Sequence, residues 1–162
     1  MIGLAMAGGV AGCAYEEVDG PQSTRSSLPP TPTKDREMLA VEASNYAELE
    51  QLLGAAPGTI IFADSGPING PAAGFGKTAT VMKVGSYTVT AACVGVPDAQ
   101  MILNQDPRTG VKPLELIVEC SEASSQVVEL QPGYVSASVV RYDPASVPWS
   151  GAVAGLRITA NE

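Results

Sequence analysis

Three thiols are the most reactive groups in this chain: Cys13, Cys93 and Cys120. Histidine is absent. It is the usual general base near neutral pH and the commonest metal ligand. Serine or cysteine catalysis built on an imidazole is therefore closed, as is any histidine-based zinc site. Two cysteines without a histidine make a poor metal site, so the sequence predicts neither a metal nor a cofactor. Carboxylates alone can cleave glycosides, but only as a pair facing each other across a cleft. No spacing in the sequence reveals such a pair, and the expectation is that the chain is not an enzyme. The remaining candidate is Trp149, the only tryptophan, in Asp143-Pro144-Ala145-Ser146-Val147-Pro148-Trp149. Two prolines stiffen this loop and Tyr142 stands at its entrance. A rigidly held indole is either a platform for a sugar ring or protein partner, or a plug at the end of a core. Both readings stay open, and Trp149 and Tyr142 are the candidate ligand-binding residues.

Two further stretches look like chemistry. Residues 70–78 read Gly-Pro-Ala-Ala-Gly-Phe-Gly-Lys-Thr. A phosphate-cradling loop needs glycine six positions before its lysine, and that position is Pro71. Such a loop also opens a helix whose N-terminus receives the phosphate, whereas residues 78–84 read as strand. No nucleotide is expected. Ile60-Ile61-Phe62-Ala63-Asp64-Ser65-Gly66 resembles the Asp-Ser/Thr-Gly strand of aspartic proteases. Those enzymes share one proton between two carboxylates, and the chain carries a single copy. The plainer reading is a strand running into an Asx-type turn. The charge balance, 17 Asp and Glu against 9 Lys and Arg for a net charge of −8, repels phosphate backbones and anionic headgroups. It excludes nucleic acid as a partner and electrostatic docking on membranes.

Membrane association must then come from a lipid or from apolar insertion. Residues 2–12 form an uncharged run of small and apolar residues, too short to span a bilayer as a helix. The segment Val10-Ala11-Gly12-Cys13 resembles a bacterial lipobox, whose cysteine receives a diacylglycerol. That resemblance implies lipidation of Cys13, cleavage before it, and a place on the outer face of the cell membrane. A signal peptide should begin with Lys or Arg, and nothing before Cys13 is charged. A start upstream of Met1, or a trimmed chain, is the expectation that follows. Residues 14–34 are rich in Pro, Ser and Thr and poor in large apolar side chains. They cannot bury enough surface to offset their ordering entropy, and in extended form would reach about 65 Å. The expected organisation is a signal remnant over 1–12, a lipidated tether over 13–34, a helix over 35–56 and a β domain over 57–162.

The helix is read from Met38, Val41, Tyr46, Leu49, Leu52 and Leu53 at three- and four-residue spacing. Asp35 is the expected N-cap and Gly54 the stop. It docks on the β domain or meets a partner. After Pro57 the period becomes two, with strands expected at 59–63, 78–84, 86–94, 99–104, 114–120, 126–130, 134–142 and 152–159. Clusters of the 17 glycines and 13 prolines separate them. Eight short strands without helical crossovers predict an antiparallel β-sandwich or jelly roll. Cys93 falls in phase with Tyr87, Val89 and Ala91, and Cys120 with Leu114, Leu116 and Val118. Both therefore face the core. A disulfide is expected in preference to two free thiols or a metal pair, since exported proteins meet an oxidising compartment.

The run Gly85-Ser86-Tyr87-Thr88-Val89-Thr90-Ala91-Ala92-Cys93-Val94-Gly95, with Cys120 beyond it, is similar to small lipoproteins of high-GC Gram-positive bacteria. The resemblance covers residues 80–160. It implies a disulfide-bonded β-sandwich in the cell envelope and no defined activity. The functional expectation is a membrane-anchored, non-enzymatic binding domain. Its partner would be an envelope protein or a cell-wall glycan, the latter held by Trp149.

Overall fold

The computed structural model describes residues 35–54, 58–69, 74–141 and 150–161. Helix α1 spans Arg36–Gly54. It starts where expected, because the Asp35 carboxylate accepts the Met38 backbone N–H at 2.7 Å and so satisfies one of the orphan donors of the first turn. The strands are β1 (Thr59–Pro67), β2 (Gly74–Val81), β3 (Gly85–Val94), β4 (Asp98–Gln105), β5 (Leu114–Glu119), β6 (Ser124–Leu130), β7 (Gly133–Arg141) and β8 (Val153–Ala160). All pairings are antiparallel. They form two four-stranded sheets with the orders β1-β8-β3-β6 and β2-β7-β4-β5.

The sheets face each other because each strand carries its apolar residues on alternate positions. From the first sheet come Phe62, Tyr87, Val89, Leu156 and Ile158; from the second come Val81, Met101, Val118, Val135 and Val139. The two sheets differ in what covers their outer faces. On the first, α1 lies across β3 and β8, and Leu49 and Leu53 pack on Ala92, Val94 and Val153. Strand β3 is consequently buried on both faces from Val89 to Val94. The helix comes this close because β8 offers a glycine beneath it. A Cβ at Gly155 would stand 2.5 Å from Leu53 Cδ1 and 3.3 Å from Leu49 Cδ2. Two polar contacts from the helix fix its course. Asn45 Nδ2 donates to the Gly151 carbonyl at 2.9 Å, and the Arg157 guanidinium donates to the Leu53 carbonyl. The last turn of α1 carries no basic residue, so β8 supplies the cation that a helix C-terminus favours. Among the described residues no element covers the outer face of the second sheet.

The helix and all eight strands fall where the sequence places them, each strand with an end shifted by one residue or more, and the shifts at three of them matter. β1 does not turn at Asp64-Ser65. It continues to Pro67, because β8 runs alongside with partners from Leu156 to Val153. Proline is tolerated there, at the end of an edge strand. β2 begins at Gly74, before the expected start, and pairs Gly74-Phe75-Gly76 with Val140, Val139 and Ser138. The glycines that resemble a loop are ladder positions. β5 ends one residue earlier, at Glu119, which leaves Cys120 in the turn beyond it. Cys93 and Cys120 form a disulfide spanning 27 residues of sequence. It joins a strand of the first sheet to the turn that follows the edge strand β5 of the second.

Candidate functional site

The residues singled out in the sequence fall in three places. Cys13, Trp149 and Tyr142 lie outside the described residues, as do Gly70 to Ala73. Cys93 is fully buried and held in the disulfide with Cys120, which is structural. Lys77 and Asp64, from the two motifs that resemble phosphate binding and proteolysis, meet each other. Lys77 Nζ lies 3.5 Å from Asp64 Oδ1, tying the edge of one sheet to the edge of the other. At 58% and 27% side-chain exposure, such a pair contributes at most about 1 kcal/mol. Its role is to close an edge. Among the described residues no three acidic or cysteine side chains gather as a metal site, and no helix is long and apolar enough to cross a membrane.

Three concavities are lined by described residues. The smallest lies between α1 and β1, where Glu50, Asp64 and Arg157 line about 200 Å³. Close by in the same seam, burial raises the Tyr46 pKa above that of a free tyrosine, with smaller contributions from Glu42 and Asp64. A second, of about 470 Å³, opens at the end of the sandwich beside Met82, Val84 and Tyr87. Tyr87, Ser86 and Asn161 there are engaged with other groups of the chain. The Tyr87 hydroxyl donates to the Lys83 carbonyl at 2.7 Å, and Asn161 bonds Thr88 at 2.8 Å and Ser86 at 3.2 Å.

The third differs from both. It is a groove of about 570 Å³ on the open face of the second sheet, within the size range of small-ligand sites. The register builds its floor: Thr78 opposes Ser136, and Ser136 opposes Asn104. Three short, uncharged polar side chains thus stand in a row across β2, β7 and β4, about 10 Å from end to end at normal strand spacing. Among the described residues the Thr78 hydroxyl and the Asn104 carboxamide are engaged in no hydrogen bond. Tyr134, at the start of β7, lines the groove and is 74% exposed.

The opposite wall is the β4–β5 connection, built around a 3₁₀ turn at Pro107–Thr109. Asp106 Oδ1 accepts the Arg108 N–H at 2.9 Å, and the Thr109 N–H and hydroxyl both donate to the Asp106 carbonyl. Gly110 closes the turn at φ +74°, a conformation that residues with a Cβ seldom adopt. Pro107, Val111 and Pro113 thereby face the groove.

Gln105 joins the two sides. Its side-chain oxygen accepts the Gln131 N–H at 2.9 Å, and its amide donates to the Gln131 carbonyl. The clasp holds the β6–β7 turn three residues before Tyr134. Gln105→Ala would strand both backbone groups of Gln131, at a cost of about 1–3 kcal/mol. The expected result is a lower urea midpoint with faster amide exchange at 131–134. An unchanged midpoint would mean that the clasp holds nothing.

The fold and groove define a class: a disulfide-linked β-sandwich with one helix-covered face and one open, grooved face. No family model and no curated protein matches the chain. Among solved structures it is similar to the pre-peptidase C-terminal domain of a collagenase from Bacillus anthracis. The identity is 12%, over 64% of this chain and 91% of that one, with a TM-score of 0.47.

Proposed function

We propose that this protein is an extracytoplasmic lipoprotein, anchored to the outer face of the cell membrane through a lipid on Cys13. Its β-sandwich acts as a non-enzymatic binding domain. The observation that carries the reading is the Cys93–Cys120 bond between the sheets. Cytosolic thiols are kept reduced, whereas exported domains rely on such bridges. Around it stand the Val10-Ala11-Gly12-Cys13 sequence, similar to a lipobox, and the Pro/Ser/Thr-rich segment between it and the domain. The open sheet face, with unengaged polar groups beside an exposed tyrosine, is the surface that would meet a ligand. The reading involves no nucleotide, nucleic acid, metal or cofactor.

The test is direct. The full chain, preceded by a basic n-region, is produced in a bacterium fed an alkyne-tagged fatty acid. Label on the protein and partition into the membrane fraction are expected, with both lost in Cys13→Ser. Unlabelled protein in the medium would refute the anchor.

A further inference from the structure

The groove between Tyr134 and the Asp106–Pro113 wall has a composition that selects its ligand. We propose that it is a binding site for a neutral, polyhydroxylated ligand, a saccharide whose ring lies against the Tyr134 face. The inference rests on the reading of this chain as a binding domain and names the ligand class of that domain.

Four observations carry it. First, the middle of the floor, Ser136 and Asn104, lies on β7 and β4, interior strands with their backbone groups paired on both sides, while Thr78 lies on β2, the outer strand of the sheet, whose neighbour Lys77 pairs with Asp64 of β1. A peptide that binds by adding a strand pairs along an edge, and β7 and β4 offer none. Recognition over them must run through side chains. Second, those side chains are hydroxyls and a carboxamide: Thr78, Ser136 and Asn104. Each both donates and accepts, as sugar hydroxyls do, and those of Thr78 and Asn104 have no partner among the described residues.

Third, among the described residues no cation lines the groove, and the one charge lining it is the Asp106 carboxylate. In a chain of net charge −8 it disfavours phosphates and acidic sugars, and one of its oxygens is held by Arg108 N–H. Fourth, Tyr134 presents an aromatic face at 74% exposure. An aromatic ring with a polar tip suits a ligand that is apolar on its ring face and wet at its edge. The Gln105–Gln131 clasp and the capped 3₁₀ turn hold the two walls before any ligand arrives. Such preorganisation reduces the ordering cost of binding.

The experiment uses the full chain carrying Cys13→Ser, titrated calorimetrically with cellotetraose, chitotetraose and, as a peptide probe, a proline-rich decapeptide. At least one tetrasaccharide is expected to bind. Tyr134→Ala should weaken that binding by at least ~10-fold, whereas Tyr134→Phe, which keeps the ring face, retains most of it. Asn104→Ala should weaken it several-fold. Ile117→Ser, an exposed change on the same sheet outside the groove, should leave it unchanged. Because Tyr134 is exposed, the thermal midpoint of Tyr134→Ala should match the parent and separate loss of binding from loss of fold. Three outcomes overturn the proposal: neither tetrasaccharide binds, binding survives Tyr134→Ala, or the decapeptide binds instead. Anchoring is read separately by the fatty-acid label on Cys13, so failure of one reading leaves the other standing.

Discussion

Breaking the Cys93–Cys120 bond should lower the stability of the domain by about 3–4 kcal/mol, as the chain-entropy cost of a loop of this length implies. The bridge spans 27 residues of sequence, and the loop it closes contains β4, the groove wall and β5. β5 pairs only with β4, so it is an edge strand with one ladder. Its Leu114 and Leu116 are only partly buried. The covalent link to β3 in the opposite sheet therefore holds an element with few other ties. Cys93 is fully buried, and Cys93→Ala/Cys120→Ala would add a small packing loss to the entropic one. For a domain of this size the thermal midpoint should fall by roughly 10 °C. The loss should appear locally as well, as faster amide exchange at 107–119 before β3 and β8 respond. Equal midpoints with and without reductant would show that the sheets need no tie. Collapse of the groove on reduction, with β3 intact, would link the redox state of the compartment to ligand binding.

What the sequence discloses and what it conceals divide along one physical line. Local periodicity is legible. The alternation of Val89, Ala91 and Cys93 against Thr88 and Thr90 set strand and facing together, and the Asp35 cap with Leu49 and Leu53 set the helix. Features created by register are not legible. Thr78, Asn104 and Ser136 are unremarkable in sequence and become a polar row only when β2, β7 and β4 pair as they do. Tyr134 reads as an ordinary strand tyrosine. Its exposure follows from which sheet the helix covers, a choice made by Gly155 and the small side chains Ala92 and Val153 on the other sheet. The same effect turned Asp64 and Lys77 from apparent reactive groups into an edge pair, since no local pattern shows that β1 and β2 adjoin. The lone tryptophan drew the sugar-binding expectation to Trp149 and Tyr142, which lie outside the described residues. The described groove carries an independent case for the same chemistry at Tyr134.

Leu49→Ala should destabilise the protein by about 2–5 kcal/mol, the range for removing a fully buried leucine. Leu49 is 0% exposed, whereas Leu39 on the same helix is 51% exposed, so Leu39→Ala should change stability by less than about 0.5 kcal/mol. The contrast decides the role of α1. A helix docked on β3 and β8 loses its anchor when Leu49 is truncated, because Ala92, Val94 and Val153 cannot collapse into the space without moving the sheet. A helix held free for a partner would show no difference between the two variants. Leu49→Asp sharpens the test, since an unpaired carboxylate against that apolar seam costs far more than a cavity. It should release the helix, or unfold the domain if α1 is integral to it. Amide exchange distinguishes these results. Protection lost only over 36–54 would mark α1 as a detachable cover, with a β-sandwich that stands alone. Protection lost together in α1, β3 and β8 would mark the helix as the third layer of one core. The second result is expected, because residues on both faces of β3 are as deeply buried as any described residue.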